Sequence, residues 1–221
     1  MPEAADSVLA PAPGRSRQNR GSEVVRAALL DAAISEFASM GFAGASGRRI
    51  AARAGAHQSQ INYHFRSIEE LWKASLLHLL DELDETIAAQ MIGLDPDDPV
   101  ERCAAMFRGF VSFAADRPEL NRIMMHEGAA PSDRLAWFVR ERLKARYDDL
   151  TEMWTSLRSA GVAADVDPDV LYHSMIGAAS LLYANAPEAE LLGIDLSDRA
   201  VVERHAESLI TLFLPGRTKE S

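Results

Sequence analysis

The chain has 221 residues, 48% of them apolar, a single cysteine and a formal net charge of −10. That is ample material for a packed core. One thiol excludes an internal disulfide, and no run of about 18 uncharged apolar residues offers a membrane span. The acidic total argues against a polyanionic partner only if charge is spread evenly, and it is not. Between Gly14 and Arg66 lie eight basic residues (Arg15, Arg17, Arg20, Arg26, Arg48, Arg49, Arg53, Arg66) and three acidic ones; from Ala74 onward there are 14 basic and 26 acidic residues. Local charge governs contact with phosphate, so a basic head precedes an acidic body.

Residues 1–21 are rich in Pro, Ala, Gly and Ser without periodicity, the composition of a disordered extension. They lack an apolar h-region, which speaks against a secretory signal and for the cytoplasm. Arg15, Arg17 and Arg20 suit a minor-groove arm, although a solvated tail is the simpler reading.

From Ser22, an N-cap, to Met40 the apolar residues Val25, Leu29, Ala32, Ala33 and Phe37 recur at a helical period. Ser46 caps a second helix, Gly47–Ala54, and Gly55 supplies the left-handed exit. A third helix runs from His57 to His64. Ser67-Ile-Glu-Glu70 is a capping box opening a fourth, which continues through Leu76, Leu80 and Leu83 to about Met91. Two short helices around a tight turn, the second polar, make a helix-turn-helix able to enter a major groove.

Asp98-Pro99, a cap followed by a proline at the first helical position, starts a helix to about Ala115. A short helix follows from Asp116-Arg-Pro-Glu119 to Gly128. A long one starts at Pro131-Ser-Asp133 and reaches Leu157, with Gly161 closing it. Asp167-Pro168 begins another, to about Asn185, and Ser197-Asp-Arg the last, ending at Leu214-Pro-Gly216. No strand or internal repeat emerges, so the expected fold is all-α. The expected organisation is a helix-turn-helix domain over 22–68, a ligand-binding and dimerising bundle over 69–216 and a short tail over 217–221.

The order Gly41-Phe-Ala-Gly44, Ser46, Arg49-Ile-Ala51, Ala54-Gly55 and Ile61-Asn-Tyr-His-Phe65, then Ser67 and Glu69-Glu-Leu71, resembles the TetR/AcrR family of transcriptional regulators. The resemblance covers residues 22–75. It implies a homodimer of all-helical subunits, each with an N-terminal reading head and a ligand-binding body, acting on double-stranded DNA. Gln58 matches a position that reads a base in that family, and Arg48 another suited to guanine. Chemically, Gln58, Gln60 and Asn62 can pair with adenine and Ser59 with either base type. Tyr63, His64, Arg49, Lys73 and the Ser46 hydroxyl are candidates for phosphate contacts. Ile50, Ala51, Ala54, Ile61 and Phe65 are expected in the small core beneath them. One departure is Ile68, where many relatives carry a lysine that grips a phosphate; Arg66 is the nearest substitute.

In the body, Met106, Phe110, Phe113, Met125, Trp137, Tyr147, Trp154, Tyr172 and Met175 suit a pocket for an apolar ligand, with His126, Arg122 and His173 able to orient a polar end. The same residue types build any helical core. Val170, Ser174, Ala178 and Leu182 on one helix, with Val202, His205, Leu209 and Leu212 on the last, are expected across a two-fold axis, which implies a palindromic operator. Six scattered histidines and one cysteine give no metal-ligand spacing. No nucleophile elbow, phosphate loop or dinucleotide fingerprint is present. The reading is thus a regulator without cofactor, most simply a repressor released by a small apolar effector. The alternative is a ligand-independent DNA binder whose acidic body recruits a protein.

Overall fold

The computed structural model describes residues 13–217, with side chains from Gly21 onward. Eleven α-helices and one π-helical turn, with no strand, make up the described residues. The head comprises α1 (Pro13–Gly44), α2 (Gly47–Arg53) and α3 (Ser59–Phe65). Then come α4 (Ile68–Gln90), α5 (Pro99–Asp116), α6 (Glu119–Glu127), α7 (Asp133–Phe138), α8 (Lys144–Ser159), α9 (Pro168–Ala184), α10 (Ala186–Leu191) and α11 (Arg199–Phe213).

The capping residues act where the sequence puts them. Ser67 Oγ accepts from the Glu70 amide at 3.1 Å, and Asp98 Oδ1 accepts from the Val100 and Glu101 amides at 3.0 Å. Each satisfies amides that a helix start leaves without partners.

Three expectations change. First, α1 begins at Pro13 rather than Ser22, so the stretch expected to be disordered is helical from there to Gly21; residues 1–12 lie outside the described residues. Second, Gly41 closes the first run of α1 as expected, but at a kink and not at the end of the element. It breaks the axis with φ 63° and ψ 175°, a region open essentially to glycine, and the helix resumes to Gly44. Third, the long helix from Pro131 is interrupted by a π-helical turn, Val139–Leu143, between α7 and α8. Such turns concentrate at functional sites.

Two apolar clusters organise the chain. One joins Leu29, Phe37, Ile50, Ile61 and Phe65 of the head to Leu71, Trp72, Leu76 and Leu79 of α4, and runs on to Phe113, Ile123 and Phe138. The other packs Cys103, Phe107, Trp154, Leu171, Met175 and Leu209. The head's core therefore continues past residue 68 into α4, because one face of that helix is buried from Leu71 to Leu83. The Cys103 thiol is pushed up to about 12 by burial, so it packs as a small apolar group and is no nucleophile at neutral pH.

Candidate nucleic-acid interface and apolar cavity

In α3, Ile61 and Phe65 are buried against the head core. That orientation leaves Gln58, Ser59, Asn62 and Tyr63 exposed together, Tyr63 at 78%. Positions i, i+1, i+4 and i+5 share one helical face. Gln60 and His64 sit at its margins, half-buried, and the Gln60 side-chain oxygen accepts from the His57 amide at 3.0 Å. Arg48 on α2 is exposed and makes no ion pair or hydrogen bond through its side chain among the described residues. The expected core residues Ile50 and Ala51 are buried and Ala54 packs against them.

Two expected phosphate contacts have other work. Arg49 donates to Glu36 at 2.7 Å and to the Gly44 carbonyl at 2.7 Å. Lys73 lies between Glu69 and Glu70, at 3.0 and 2.9 Å, with its ammonium 5.3 Å from the Trp137 ring centroid. Ser46 is half-buried: its hydroxyl accepts from the Arg49 amide and its own amide donates to Glu36. Arg49 and Ser46 tie α2 to Glu36 of α1, while Lys73 stays on α4 beside Trp137; sequence cannot separate a phosphate-facing arginine from one hooked to a buried carboxylate.

Glu36 is that carboxylate, buried on α1. Burial pushes its carboxyl up, but the bonds from Arg49 and the Ser46 amide outweigh it and hold the group below the usual glutamate range. A depressed carboxylate contributes stability that is full above its unfolded pKa, about 4.3, and is lost as pH falls through the folded value. Glu36→Gln is therefore expected to flatten the acid limb of the stability–pH curve below pH about 4.3. An unchanged limb in urea melts at stepped pH would show that the Glu36 pair carries no linkage.

The body holds a cavity of about 370 Å³ between α4, α5, α6, α8 and α9. Its walls are Leu80, Leu83 and Ile87 of α4; Met106, Phe110 and Phe113; Leu120 and Met124; Phe138 and Leu143 beside the π turn; Leu150 and Met153; and Tyr172, Met175 and Ile176. Of the residues expected to touch a ligand, Met106, Phe110, Phe113, Tyr172 and Met175 line it. The other five lie elsewhere. Met125 and His126 are exposed on the far side of α6, Trp137 packs on Trp72, and Tyr147 stands edge-on behind Tyr172. Trp154 is fully buried in the second core, its indole donating to the Val166 carbonyl at 3.0 Å. Arg122 is likewise used, donating to the Ala184 carbonyl at 2.9 Å.

The polar part of the wall was not foreseen. Arg117 pairs with Glu82 at 2.6 Å and Arg146 with Asp84, both carboxylates belonging to α4; just outside, Arg142 meets Asp81 at 3.3 Å. Opposite charges brought together from residues so distant in sequence leave no local pattern to read. α4 is thus shared: its first half completes the head's core and its second half walls the cavity.

On α9, Val170, His173, Ser174, Gly177, Ala178 and Leu181 form an exposed stripe, and Leu212 of α11 is 68% exposed. Of the residues expected on a two-fold axis, Val170, Ser174, Ala178 and Leu212 are on this surface. Leu182 is half-buried, and Val202 and Leu209 are buried within the subunit. His205 is tied inward. Its Nε2 donates to the Ala178 carbonyl and its Nδ1 accepts from the Tyr183 hydroxyl, both at 3.0 Å.

Residues 29–74 match the model of bacterial regulatory proteins of the tetR family. Over 202 residues, 90% of this chain and 93% of the relative, the sequence is 26% identical to the HTH-type transcriptional regulator RutR of Escherichia coli K12. The chain is thus similar to the tetR family, most directly over residues 29–74. Its fold matches AibR solved with isovaleryl coenzyme A and operator DNA, with TM-score 0.68, 23% identity and coverage of 86% of this chain and 98% of that one. It also matches the ketosteroid transcriptional regulator KstR2 of Mycobacterium tuberculosis, with TM-score 0.65, 19% identity and coverage of 86% and 94%. The described residues are helical with no strand, and the curated relatives are transcriptional regulators, not enzymes. Among the described residues no helix is long and apolar enough to cross a membrane.

Proposed function

We propose that this protein is a one-component, cytoplasmic transcriptional repressor that binds a palindromic operator as a homodimer and leaves it when a small, mostly apolar molecule occupies the body cavity. The observation that carries the reading is the double duty of α4. One helix shares a core with α3, which bears the exposed Gln58, Ser59, Asn62 and Tyr63, and walls a cavity lined chiefly by aliphatic, methionine and aromatic side chains. An occupant that favours a different seat for α4 changes where the two copies of α3 stand, and two copies must meet major grooves about 34–36 Å apart. The division into a head over 22–68 and a body over 69–216 is proposed on this basis, with α4 the lever between them. The binding of isovaleryl coenzyme A and operator DNA by AibR supports a cavity and a DNA face on the same kind of subunit.

Gln58, Ser59, Asn62 and Arg48 are proposed to read bases, and Tyr63 and His64 to contact phosphate. Gln58→Ala is expected to cost about 1–3 kcal/mol at one base-pair position and to relax preference there. Operator selection followed by anisotropy titration on single-base variants measures this, and equal losses on every sequence would place α3 differently. For the cavity, ligand candidates with apolar bodies bearing neutral, anionic or cationic ends are screened by melting. An occupant at 100 times its Kd adds about 2.7 kcal/mol of stability and is expected to release the operator. Absence of stabilisation by any of them would instead favour the ligand-independent reading, a body that recruits a protein.

A further inference from the structure

We infer that the corner between α6 and α7 is a second path from the cavity to the reading head, beside α4, and that Arg134 is the positioning residue that closes it. The inference rests on the cavity being an effector site. Leu120 and Met124 give α6 a cavity-facing side. The last turn of the same helix touches the head, because a Cβ placed on Gly41 would sit 3.2 Å from His126 Cγ. α6 therefore bears directly on the backbone where α1 bends.

One residue further on, Glu127 is 6% exposed, accepts from the Ser132 hydroxyl and pairs with Arg134 at 3.0 Å. Ser132 also caps α7, accepting from the Leu135 amide at 2.9 Å. The Arg134 guanidinium carbon stands 3.8 Å from the centroid of Phe42 and 5.8 Å from that of Trp72. Phe42 follows the bend and leads into Gly44, whose carbonyl Arg49 of α2 holds. A body carboxylate, a body guanidinium and a head ring thus form one clamp. A planar cation suits it, being able to bond a carboxylate with its edge and stack an aromatic ring with its face. Pressure on α6 from within the cavity moves Glu127, and through Arg134 the seat of Phe42 and the phase of α2 and α3.

The test uses the full chain on an operator fragment selected by the purified protein. Leu120→Trp and, separately, Ile176→Trp overfill the cavity and stand in for an occupant. The clamp is opened in two ways. Glu127→Gln with Arg134→Met removes both charges, so that no lone carboxylate stays buried; Phe42→Leu removes the ring and leaves the charges. In the native background each occupant is expected to weaken operator binding about 5–150-fold, the usual span of allosteric coupling, and in either opened background by a factor at least about threefold smaller, the remainder being carried by α4. Occupants that keep their full effect with the clamp open overturn the inference and leave the effector reading standing. Occupants without effect in the native background sink the effector reading, and this inference with it. Operator binding lost on opening the clamp alone, with melting intact, makes Arg134 a support for the head's shape and also overturns it.

Discussion

Trp72→Ala is expected to destabilise the protein by about 3–5 kcal/mol, the cost of deleting a large buried aromatic side chain, measured by urea unfolding. Trp72 has no exposed surface and sits where α4 leaves the head. Its ring meets Phe42 edge-on at 6.3 Å and Trp137 at 6.4 Å, so its removal opens a void shared by head and body. The indole N–H has no partner among the described residues. Trp72→Phe therefore keeps most of the apolar contact and relieves a buried donor that costs about 1–3 kcal/mol unpaired, so its loss should be well under that of the alanine variant. Equal losses would mean the N–H is bonded after all, and an alanine variant within about 1 kcal/mol of native would mean the two regions do not depend on this ring.

Gly177→Arg is expected to abolish the proposed homodimer and with it most of the operator affinity. The residue lies mid-stripe on α9, exposed, and a Cβ built there meets nothing within 4 Å inside the subunit. The subunit tolerates the change and gains up to about 1 kcal/mol of helix propensity, so any loss belongs to the interface between copies. A bulky cation facing its own copy across a two-fold axis has neither room nor partner. A monomer binds one half-site at a time, which forgoes the about 10²–10⁴-fold gain of linked binding. Light scattering reads the oligomer and anisotropy the affinity. A Gly177→Arg protein that remains dimeric with full affinity puts the two-fold axis on another face.

Much of the local design was legible in the residues. Ser67 and Asp98 cap helices in the structure because capping is decided by a few consecutive residues. Ile61 and Phe65 point inward because their spacing matches one helical face. The interruption at Val139–Leu143 was not legible, since no glycine or proline within Val139–Leu143 marks it. Of the ten residues expected at the cavity by type alone, five line it. Aromatic and methionine side chains serve equally in a core, as Trp154 does, and at a cavity wall, as Phe110 does. On α9 and α11 the small and apolar residues were recognised, but which side of each helix faces outward was not. Val202 and Leu209 turned out buried beside an exposed Leu212.

By itself the amino-acid order determined the helices, their caps and the polar reading helix, for these follow from interactions within a turn or two of chain. Only the tertiary structure decided that Arg49 belongs to Glu36, that three body arginines reach the carboxylates of α4, and that Arg134 rests on Phe42. Each of those pairings closes over a stretch of chain with no periodic signal. Their partners are selected by packing once the helices have docked, and packing is a property of the whole fold.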